Sequence, residues 1–263
     1  MIEFASLFSG SSGNALYIEH KDTRILIDAG VSGIRIENAL LSIGKRAADL
    51  TAVLVTHEHS DHTSCLGVMT RRYNLPIYIN RGTWNHVKNF IGKVNEANIY
   101  HFNSNEEFTL GDFKVNPFSI PHDASDPVGF SFFAENKKIT TATDIGHMND
   151  DIRKNIENSD LLLLECNHDL RMLENGSYPY PLKRRIKGDF GHLCNDHTSQ
   201  TILELARKGQ RRFLLGHLSH ENNYPELAFK TVAGCLIDNG FEVGKDIELE
   251  VVLRDQTSQL YFI

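Results

Sequence analysis

Cysteine is scarce in this 263-residue chain, and no two cysteines have the CxxC spacing. The four are Cys65, Cys166, Cys194 and Cys235. This pattern indicates neither a disulfide framework nor a cysteine-ligated zinc site. A reducing, cytoplasmic environment is the compartment that we expect.

Long apolar runs are also lacking, because no stretch approaches the length of about 20 residues that spans a bilayer. The opening "MIEFASLFSGSSGNALYIEH" has no basic segment followed by an apolar one, so we expect neither secretion nor membrane insertion. Positive charge is not in excess: the net charge is −7 and the isoelectric point is near 6.0. A surface that attracts nucleic acid over its whole area is therefore excluded, whereas a local basic groove is not.

No flexible linker or low-complexity tract divides the chain, so we expect residues 1–263 to form one domain. Short runs rich in β-branched and aromatic residues alternate with helical patterns. Predicted strands are 3–9, 15–19, 23–30, 52–56, 75–80, 98–102, two within 107–120, two within 128–144, 161–167 and 211–219. Predicted helices are 33–44, 65–74, 82–92, 148–159, 199–209 and 226–240. This order favours an α/β fold in which sheets pack face to face with helices outside.

The segment "THEHSDH", residues 56–62, places three histidines and an aspartate directly after the apolar run "AVLV". His57 and His59 are two residues apart, so in extended backbone both side chains face one ion. Asp61 and His62 are adjacent and diverge, which favours a second ion nearby. Imidazole and carboxylate suit zinc, iron or manganese. A solvated polar loop is the alternative for these residues, and Glu58 and Ser60 are expected to point away from the ions.

The same segment resembles the HxHxDH signature of the metallo-β-lactamase fold. The resemblance implies an αββα sandwich with a dinuclear centre at one edge, and with later ligands in "SIPHDASDPVGF", "ITTATDIG" and "FLLGHLSH". It assigns His57, His59 and His122 to one ion, Asp61, His62 and His217 to the other, and Asp144 between them. His220 competes with His217 for the last position, and His147 is a weaker candidate for an extra ligand.

Three further stretches, "SLFSGSSGNALYIE", "PHDASDPVGF" and "NHDLRMLENGSYPYPLKRRIKGDFGHLCN", closely resemble the YycJ/WalJ family of bacterial metallohydrolases. With "LGHLSHENN" included, the similarity spans nearly the whole chain. It implies a phosphodiesterase that binds two divalent ions (zinc, manganese or iron) and acts as a 5′-to-3′ exonuclease on DNA. Cys194 stands where a serine is expected, and His147 also departs from the pattern.

The resemblance suggests two catalytic residues, Asp61 as part of the metal centre and His192 as the group that contacts the scissile phosphate or protonates the leaving oxygen. For His192, a turn residue near a helix is the alternative. Nearby cations are candidates for binding phosphate, although a solvated face is an equal alternative. They are Lys183, Arg184, Arg185 and Lys187.

Several other residues are expected in supporting roles. Asn14 is predicted to tie down the loop "SGSSGN", and Asp28 to support a ligand through a hydrogen bond. His168 and Asp169 are candidates for lining the cleft. Trp84, Tyr178 and Tyr180 could stack on bases, but a place in the core is the favoured prediction.

Two other functions stay open. A hydrolase of small thioesters, lactones or cyclic phosphodiesters is favoured by the acidic charge and by the lack of an appended nucleic-acid module. A metal-bound regulatory protein without turnover is the third possibility, and the complete ligand set argues against it. Oligomeric state is not predictable from these patterns.

Overall fold

Two seven-stranded mixed sheets form the centre of the computed structural model, which describes residues 1–263. The strands of the first sheet, in spatial order, are β14 (Tyr261–Phe262), β1 (Glu3–Phe8), β2 (Ala15–His20), β3 (Thr23–Ile27), β4 (Ala52–Leu54), β5 (Ile77–Tyr78) and β6 (Ile99–Tyr100). Those of the second are β13 (Glu248–Val251), β12 (Arg212–Gly216), β11 (Leu161–Glu165), β10 (Lys137–Ala142), β9 (Val128–Ala134), β8 (Phe113–Ser119) and β7 (Phe108–Leu110).

Helices cover the outer face of each sheet. They are α1 (Gly33–Ser42), α2 (Ser60–Thr63), α3 (Leu66–Tyr73), α4 (Arg81–Val87), α5 (Asp150–Ile156), α6 (Leu170–Asn175), α7 (Tyr180–Ile186), α8 (Asn195–Arg207) and α9 (Pro225–Asp238). None of these helices has both the length and the apolar composition needed to cross a membrane.

The strand β11 shows how the layers are held together. Leu161 and Leu163 pack into the core between the two sheets, whereas Leu162 and Leu164 pack into the core beneath α5, α8 and α9. All four leucines are at most 1 % exposed, because side chains alternate across a strand and both faces of this sheet are covered. The continuous apolar run in the sequence therefore marks a strand buried on both sides, and the predicted αββα sandwich is confirmed.

The loops that follow several strands meet at one edge of the sandwich. β10, β11 and β12 are parallel, and β8 has the same direction because both β8 and β10 pair antiparallel with β9. The carboxyl ends of these strands consequently lie together. In the first sheet, β4 ends just before His57.

The predicted elements differ from the observed ones in places. The helix predicted at 199–209 begins four residues earlier, at Asn195, and the helix predicted at 82–92 ends at Val87. Helices α2, α6 and α7 and strands β13 and β14 were not predicted. These elements have two to seven residues, too few to show a clear hydrophobic period.

Candidate metal centre

Three imidazoles meet beyond β4 and β8. The Nε2 atom of His57 lies 3.1 Å from Nδ1 of His59, and Nε2 of His122 lies 3.3 Å from the same Nδ1 atom. His57 and His122 are buried, and the backbone between β4 and α2 brings His59 round to face them. This group of three nitrogens is arranged as a set that could hold one metal ion.

The spacing of these nitrogens fits a bound ion. Two imidazole nitrogens at about 2.1 Å from a tetrahedral ion stand about 3.4 Å apart. The observed separations are 3.1 and 3.3 Å. The lone pairs of uncharged histidine rings do not stabilise one another when they converge on one point. A divalent cation at that point would accept all three, so the residues fit such an ion.

A second group adjoins the first. Nε2 of His62 lies 3.4 Å from Oδ2 of Asp144, and Nε2 of His217 lies 3.2 Å from Oδ1 of the same carboxylate. Oδ2 of Asp61 is 3.5 Å from His62 Nε2. Asp61, His62, His217 and Asp144 are thus brought together in the way that the resemblance implied.

Asp144 stands between the two groups. Its Oδ1 atom is 3.8 Å from Nε2 of His122 in the first group, and its Oδ2 atom is buried without a hydrogen-bond partner. Burial opposes ionisation of this carboxyl, but the histidines around it, first His217 and then His62, hold its pKa well below the ordinary value. A buried, ionised carboxylate with an unpartnered oxygen is a ready ligand for a cation.

Each buried histidine is oriented by a contact through its other ring nitrogen. His62 Nδ1 donates to Asp28 Oδ2 at 2.8 Å, and His122 Nδ1 donates to the Gly191 carbonyl at 3.2 Å. His217 Nδ1 contacts Asn14 Oδ1 at 3.2 Å, and His57 Nδ1 contacts Thr56 Oγ1 at 3.0 Å. Such contacts fix the ring that points at a metal and its tautomer.

The supporting role predicted for Asp28 is confirmed. Its carboxylate also accepts hydrogen bonds from the Thr56 amide at 2.9 Å and from Thr56 Oγ1 at 2.8 Å. Burial lowers the pKa of His62, but the carboxylates of Asp28, Asp61 and Asp144 outweigh it and hold that pKa well above the ordinary value. The carboxylates around His62 therefore favour a positive charge at this position.

Three residues of the centre have left-handed backbone. The φ angles are 62° at Asp28, 62° at Asp144 and 55° at His217. This conformation is uncommon for residues other than glycine, and it persists where the surrounding structure holds it in place. Here it turns the side chain that follows a strand back over the edge of the sheet.

The loop "SGSSGN" braces the centre, as predicted for Asn14. Asn14 Oδ1 accepts a hydrogen bond from the Gly10 amide at 2.9 Å, and Asn14 Nδ2 donates to the Gly10 carbonyl at 3.1 Å. The backbone amide of Asn14 donates a hydrogen bond to the Asp61 carbonyl at 2.8 Å, which joins this loop to the segment that carries Asp61 and His62. Gly30 packs so closely that a Cβ atom there would lie 1.5 Å from the Asp61 carbonyl oxygen.

Glu165 was not predicted from the sequence, and it occupies a central position. It is fully buried at the end of β11, and its Oε1 atom lies 2.7 Å from Nδ1 of His192. Oε2 accepts hydrogen bonds from the Ile145 and Leu193 amides at 2.8 and 3.0 Å. The sequence held one signal for it, a single acidic residue at the end of the apolar run "LLLLE". A carboxylate that is buried with such a strand requires hydrogen-bonding or charged partners.

His192 lies beside Asp144, with 3.9 Å between Nδ1 and Oδ1. Burial lowers the pKa of His192, but Glu165, through its charge and its hydrogen bond, raises it to about 9. The imidazole is consequently held in its protonated form at neutral pH. Its side chain is 18 % exposed, so it can reach a molecule at the mouth of the centre.

An alternative set of metal ligands consists of Asp144, Glu165, His192 and His217, whose ligand atoms also lie close together. Glu165 already has partners for both oxygens, whereas Asp144 has an oxygen with none. We therefore favour Glu165 as a partner of His192 rather than as a ligand.

Two competing candidates lie elsewhere. The side chain of His220 is 66 % exposed and pairs with Glu221, away from the cluster. His147 is exposed, and its Nδ1 atom donates to the Asp189 carbonyl at 2.9 Å, so it braces the turn before His192. Glu58 accepts a hydrogen bond from the Ser125 amide at 2.7 Å, which anchors the loop after His122.

The basic run on α7 divides into two pairs. Lys183 donates to the carbonyls of Glu174 and Gly176, both at 2.8 Å, and Lys187 pairs with the Glu174 carboxylate at 3.1 Å. Arg185 pairs through Nε with Asp123, the residue after the candidate ligand His122. Arg184 is exposed and has no hydrogen-bonded or ionic partner in the structure.

Two predictions about the surroundings were wrong. His168 does not line an open cleft, because it is 1 % exposed, and Asp169 caps α6 by accepting a hydrogen bond from the Met172 amide at 2.8 Å. Tyr180 does not belong to the core, because it is 74 % exposed.

Comparison with known proteins agrees with this geometry. The sequence model of the beta-lactamase superfamily domain matches residues 23–218. The exodeoxyribonuclease YycJ of Bacillus anthracis is 37% identical to the chain over 248 residues, covering 94% of each protein. The chain belongs to the YycJ/WalJ family of the beta-lactamase superfamily.

Two further comparisons extend this result. The exodeoxyribonuclease WalJ of Streptococcus pneumoniae is 37% identical over 260 residues, which cover 98% of the chain and 97% of that protein. Among solved structures, the metallo-β-lactamase-fold protein YhfI of Bacillus subtilis superposes with a TM-score of 0.71 over 98% of each chain, at 16% identity. The similarity to YhfI shows the fold, and the YycJ/WalJ relatives show the family.

Proposed function

We propose that the protein is a dinuclear metal-dependent phosphodiesterase that removes nucleotides from the 5′ end of DNA. The observation that carries this proposal is the buried Glu165–His192 pair beside the two groups of metal-binding side chains. A protonated histidine next to two metal ions is suited to a reaction in which an alkoxide leaves a phosphate, because it can donate a proton to the leaving oxygen. The names of the YycJ and WalJ relatives support DNA as the substrate.

The proposed ligands of the first ion are His57, His59 and His122, and those of the second are Asp61, His62 and His217, with Asp144 shared. Zinc, manganese and iron all suit this mixture of imidazole and carboxylate. Two such ions lower the pKa of water and neutralise charge on the phosphate. The two adjoining groups of donors, joined by one buried carboxylate, support a count of two.

The protein's own residues supply the remaining steps. Asp28, Thr56, Asn14 and the Gly191 carbonyl fix the histidine rings, so the centre requires little rearrangement. Glu165 orients His192 through Nδ1, which leaves Nε2 to hold the proton that the leaving oxygen needs. Arg185, and the unpaired Arg184 beside it, provide positive charge for the phosphates on either side of the cleaved bond.

We also propose that residues 1–263 act as one hydrolase domain and that the protein works in the cytoplasm. All four cysteines are unpaired, which supports a reducing compartment.

The decisive experiment measures cleavage of 5′-phosphorylated duplex DNA by purified protein with added manganese. Metal content is measured on the same sample, and Asp61→Ala serves as the control for contaminating nucleases. We expect stepwise loss of 5′ nucleotides by the unsubstituted protein alone. If protein that carries two ions per chain cleaves no phosphodiester, the proposal is overturned and a small-molecule ester becomes the better substrate.

A further inference from the structure

We propose that the cleft between α7 and the turn at residues 188–190 binds one nucleotide of a DNA strand adjacent to the phosphate being cleaved. Tyr180 and Phe190 stack on its base, and Arg184 binds its phosphate. This inference rests on the proposed function and specifies how the enzyme holds its substrate. It replaces the expectation that Tyr180 belongs to the core.

The cleft has a size suited to a nucleotide and lies beside the candidate metal centre. Its volume is about 500 Å³, within the range of sites that bind small molecules. One wall contains Asp123, the residue after the ligand His122, and another contains Phe190, two residues before His192. A strand that places a phosphate at the centre therefore has a neighbouring nucleotide within reach of the cleft.

The aromatic side chains of the cleft are unusually exposed. Tyr180 is 74 % and Phe190 is 61 % exposed, although folding normally removes such large apolar surfaces from water. Aromatic rings that face solvent beside cationic groups are the features with which proteins bind single-stranded nucleic acid. Every base offers a π face, so such a site selects an unpaired nucleotide without selecting its sequence.

Phe190 is presented by a braced turn rather than by a loose loop. The Gly191 amide donates to the Gly188 carbonyl at 2.9 Å, and the His192 amide donates to the Ile186 carbonyl at 3.0 Å. His147 holds the Asp189 carbonyl from the other side at 2.9 Å. The backbone on both sides of Phe190 is thus fixed while its ring stays in water, which keeps a stacking surface in a defined position.

The charges of the cleft suit a phosphate. Arg184 and Arg185 line it, whereas the other two cations of the run are occupied by Glu174 and nearby carbonyls. The Asp123 carboxylate holds Arg185 by its Nε, so that the guanidinium is fixed and its terminal nitrogens remain available. The Arg184 side chain has no hydrogen-bonded or ionic partner, so its guanidinium is available to a phosphate, and the cleft also contains the carboxylate of Asp189.

The test compares binding of two phosphorothioate single strands that resist cleavage, one complete and one with abasic sites at its three 5′-terminal positions. Fluorescence anisotropy gives Kd for the metal-loaded protein and for its Phe190→Ala and Tyr180→Ala variants. Both residues are exposed, so the substitutions leave the fold intact. Phe90→Ala is the matched control, because Phe90 is 87 % exposed and does not line the cleft.

We expect Phe190→Ala to weaken binding of the complete strand about five- to 150-fold and to leave binding of the abasic strand nearly unchanged. Tyr180→Ala behaves in the same way, and Phe90→Ala changes neither Kd. Equal losses with both strands, or no loss with either, would overturn the stacking role. Phe190→Trp should retain affinity for the complete strand.

The phosphate contact is tested separately with Arg184→Ala. This variant should weaken binding of both strands by the same factor and reduce the slope of log Kd against log salt by roughly 1. An unchanged slope would remove Arg184 from the proposal.

Failure of this inference is distinguishable from failure of the proposed function. Hydrolysis of bis(4-nitrophenyl) phosphate reports on phosphodiester cleavage at the metal centre without any base to stack. If the unsubstituted protein hydrolyses it while the aromatic variants bind DNA normally, the cleft assignment is wrong and the function stands. If metal-loaded protein neither hydrolyses it nor binds either strand, both proposals are wrong.

Discussion

Glu165 and His192 form a buried carboxylate–imidazole pair in which 2.7 Å separate Oε1 from Nδ1. The other oxygen of Glu165 is held by two backbone amides, so the carboxylate cannot turn away from the imidazole. The pair joins the end of β11 to the residues that precede α8. One buried residue thereby controls both the orientation and the protonation of the histidine that faces the centre.

The first prediction concerns the pH dependence of this pair. Although burial acts in the opposite direction, Glu165 raises the pKa of His192 to about 9, so the protonated form prevails below that pH and is lost as the pH rises through it. Phosphodiester cleavage should therefore decline on the alkaline side of its pH profile. In Glu165→Gln the negative charge is gone, and the decline should move to lower pH.

The measurement is the pH profile of kcat for the unsubstituted protein, Glu165→Gln and His192→Ala. His192→Ala should lower kcat about 10²- to 10⁴-fold and remove the alkaline decline. Glu204→Gln, which alters an exposed carboxylate paired with Arg153, is the control and should leave the profile unchanged. An identical alkaline decline in Glu165→Gln would show that His192 is not the titrating group.

A second prediction concerns the metal affinity that Asp28 provides. Asp28→Asn removes the charge that holds His62 Nδ1 at 2.8 Å, and contacts of this kind typically contribute 10- to 100-fold to affinity. We expect a loss of that size in zinc or manganese affinity, measured by competition with a chelator. Asp49→Asn alters an exposed carboxylate paired with Arg46 and should bind metal normally. Normal affinity in Asp28→Asn would mean that the hydrogen bond serves the fold alone.

The clustering of the candidate ligands in "THEHSDH" could be predicted from the sequence because their relationship is local. The spacing of His57 and His59 is enough to bring their side chains to one side, and the apolar run before them marks the end of a strand. Nothing local joins these residues to His122, Asp144 and His217, which follow β8, β10 and β12, three strands that run in the same direction in the other sheet. Family resemblance supplied those positions, because it carries the topology that spacing lacks.

The cleft beside α7 shows what sequence patterns could not supply. Aromatic residues such as Tyr180 and Phe190 are commonly buried, but here Tyr180 is exposed at the start of the short helix α7 and Phe190 is exposed in the turn after it. That helix is held by tertiary contacts, such as those of Lys183 with the carbonyls of Glu174 and Gly176, rather than by a periodic apolar face. Because its ammonium group makes these contacts, Lys183 is not one of the cations that line the cleft.

A third prediction follows from the charge within the proposed ligand set. Asp144 and its surrounding histidines are buried, so a bound cation stabilises the folded state only. Each ion at about 100 times its Kd adds about 2.7 kcal/mol to the free energy of unfolding, which corresponds to a rise in Tm of roughly 5–10 °C per ion. Adding EDTA to the metal-loaded protein should lower Tm by this amount for each ion that it removes.

The comparison variant is Asp61→Ala, which lacks one proposed ligand of the second ion. Its Tm should respond less to EDTA, and its metal content should fall. Calorimetry and metal analysis on the same samples provide both values. A full response to EDTA in this variant would exclude Asp61 from the ligand set.

The last prediction uses two glycines in contrasting surroundings. A Cβ atom at Gly30 would lie 1.5 Å from the Asp61 carbonyl oxygen and 2.8 Å from the Asn14 amide nitrogen, so Gly30→Ala must displace the segment that carries Asp61 and His62. We expect this variant to lose about 1–3 kcal/mol of stability and to bind less metal. Gly234 lies within α9 with open space around it, and Gly234→Ala should instead add about 0.5–1 kcal/mol. Chemical denaturation of both variants, with metal analysis, checks the pair, and normal metal content in Gly30→Ala would show that the second ion tolerates a shift of Asp61.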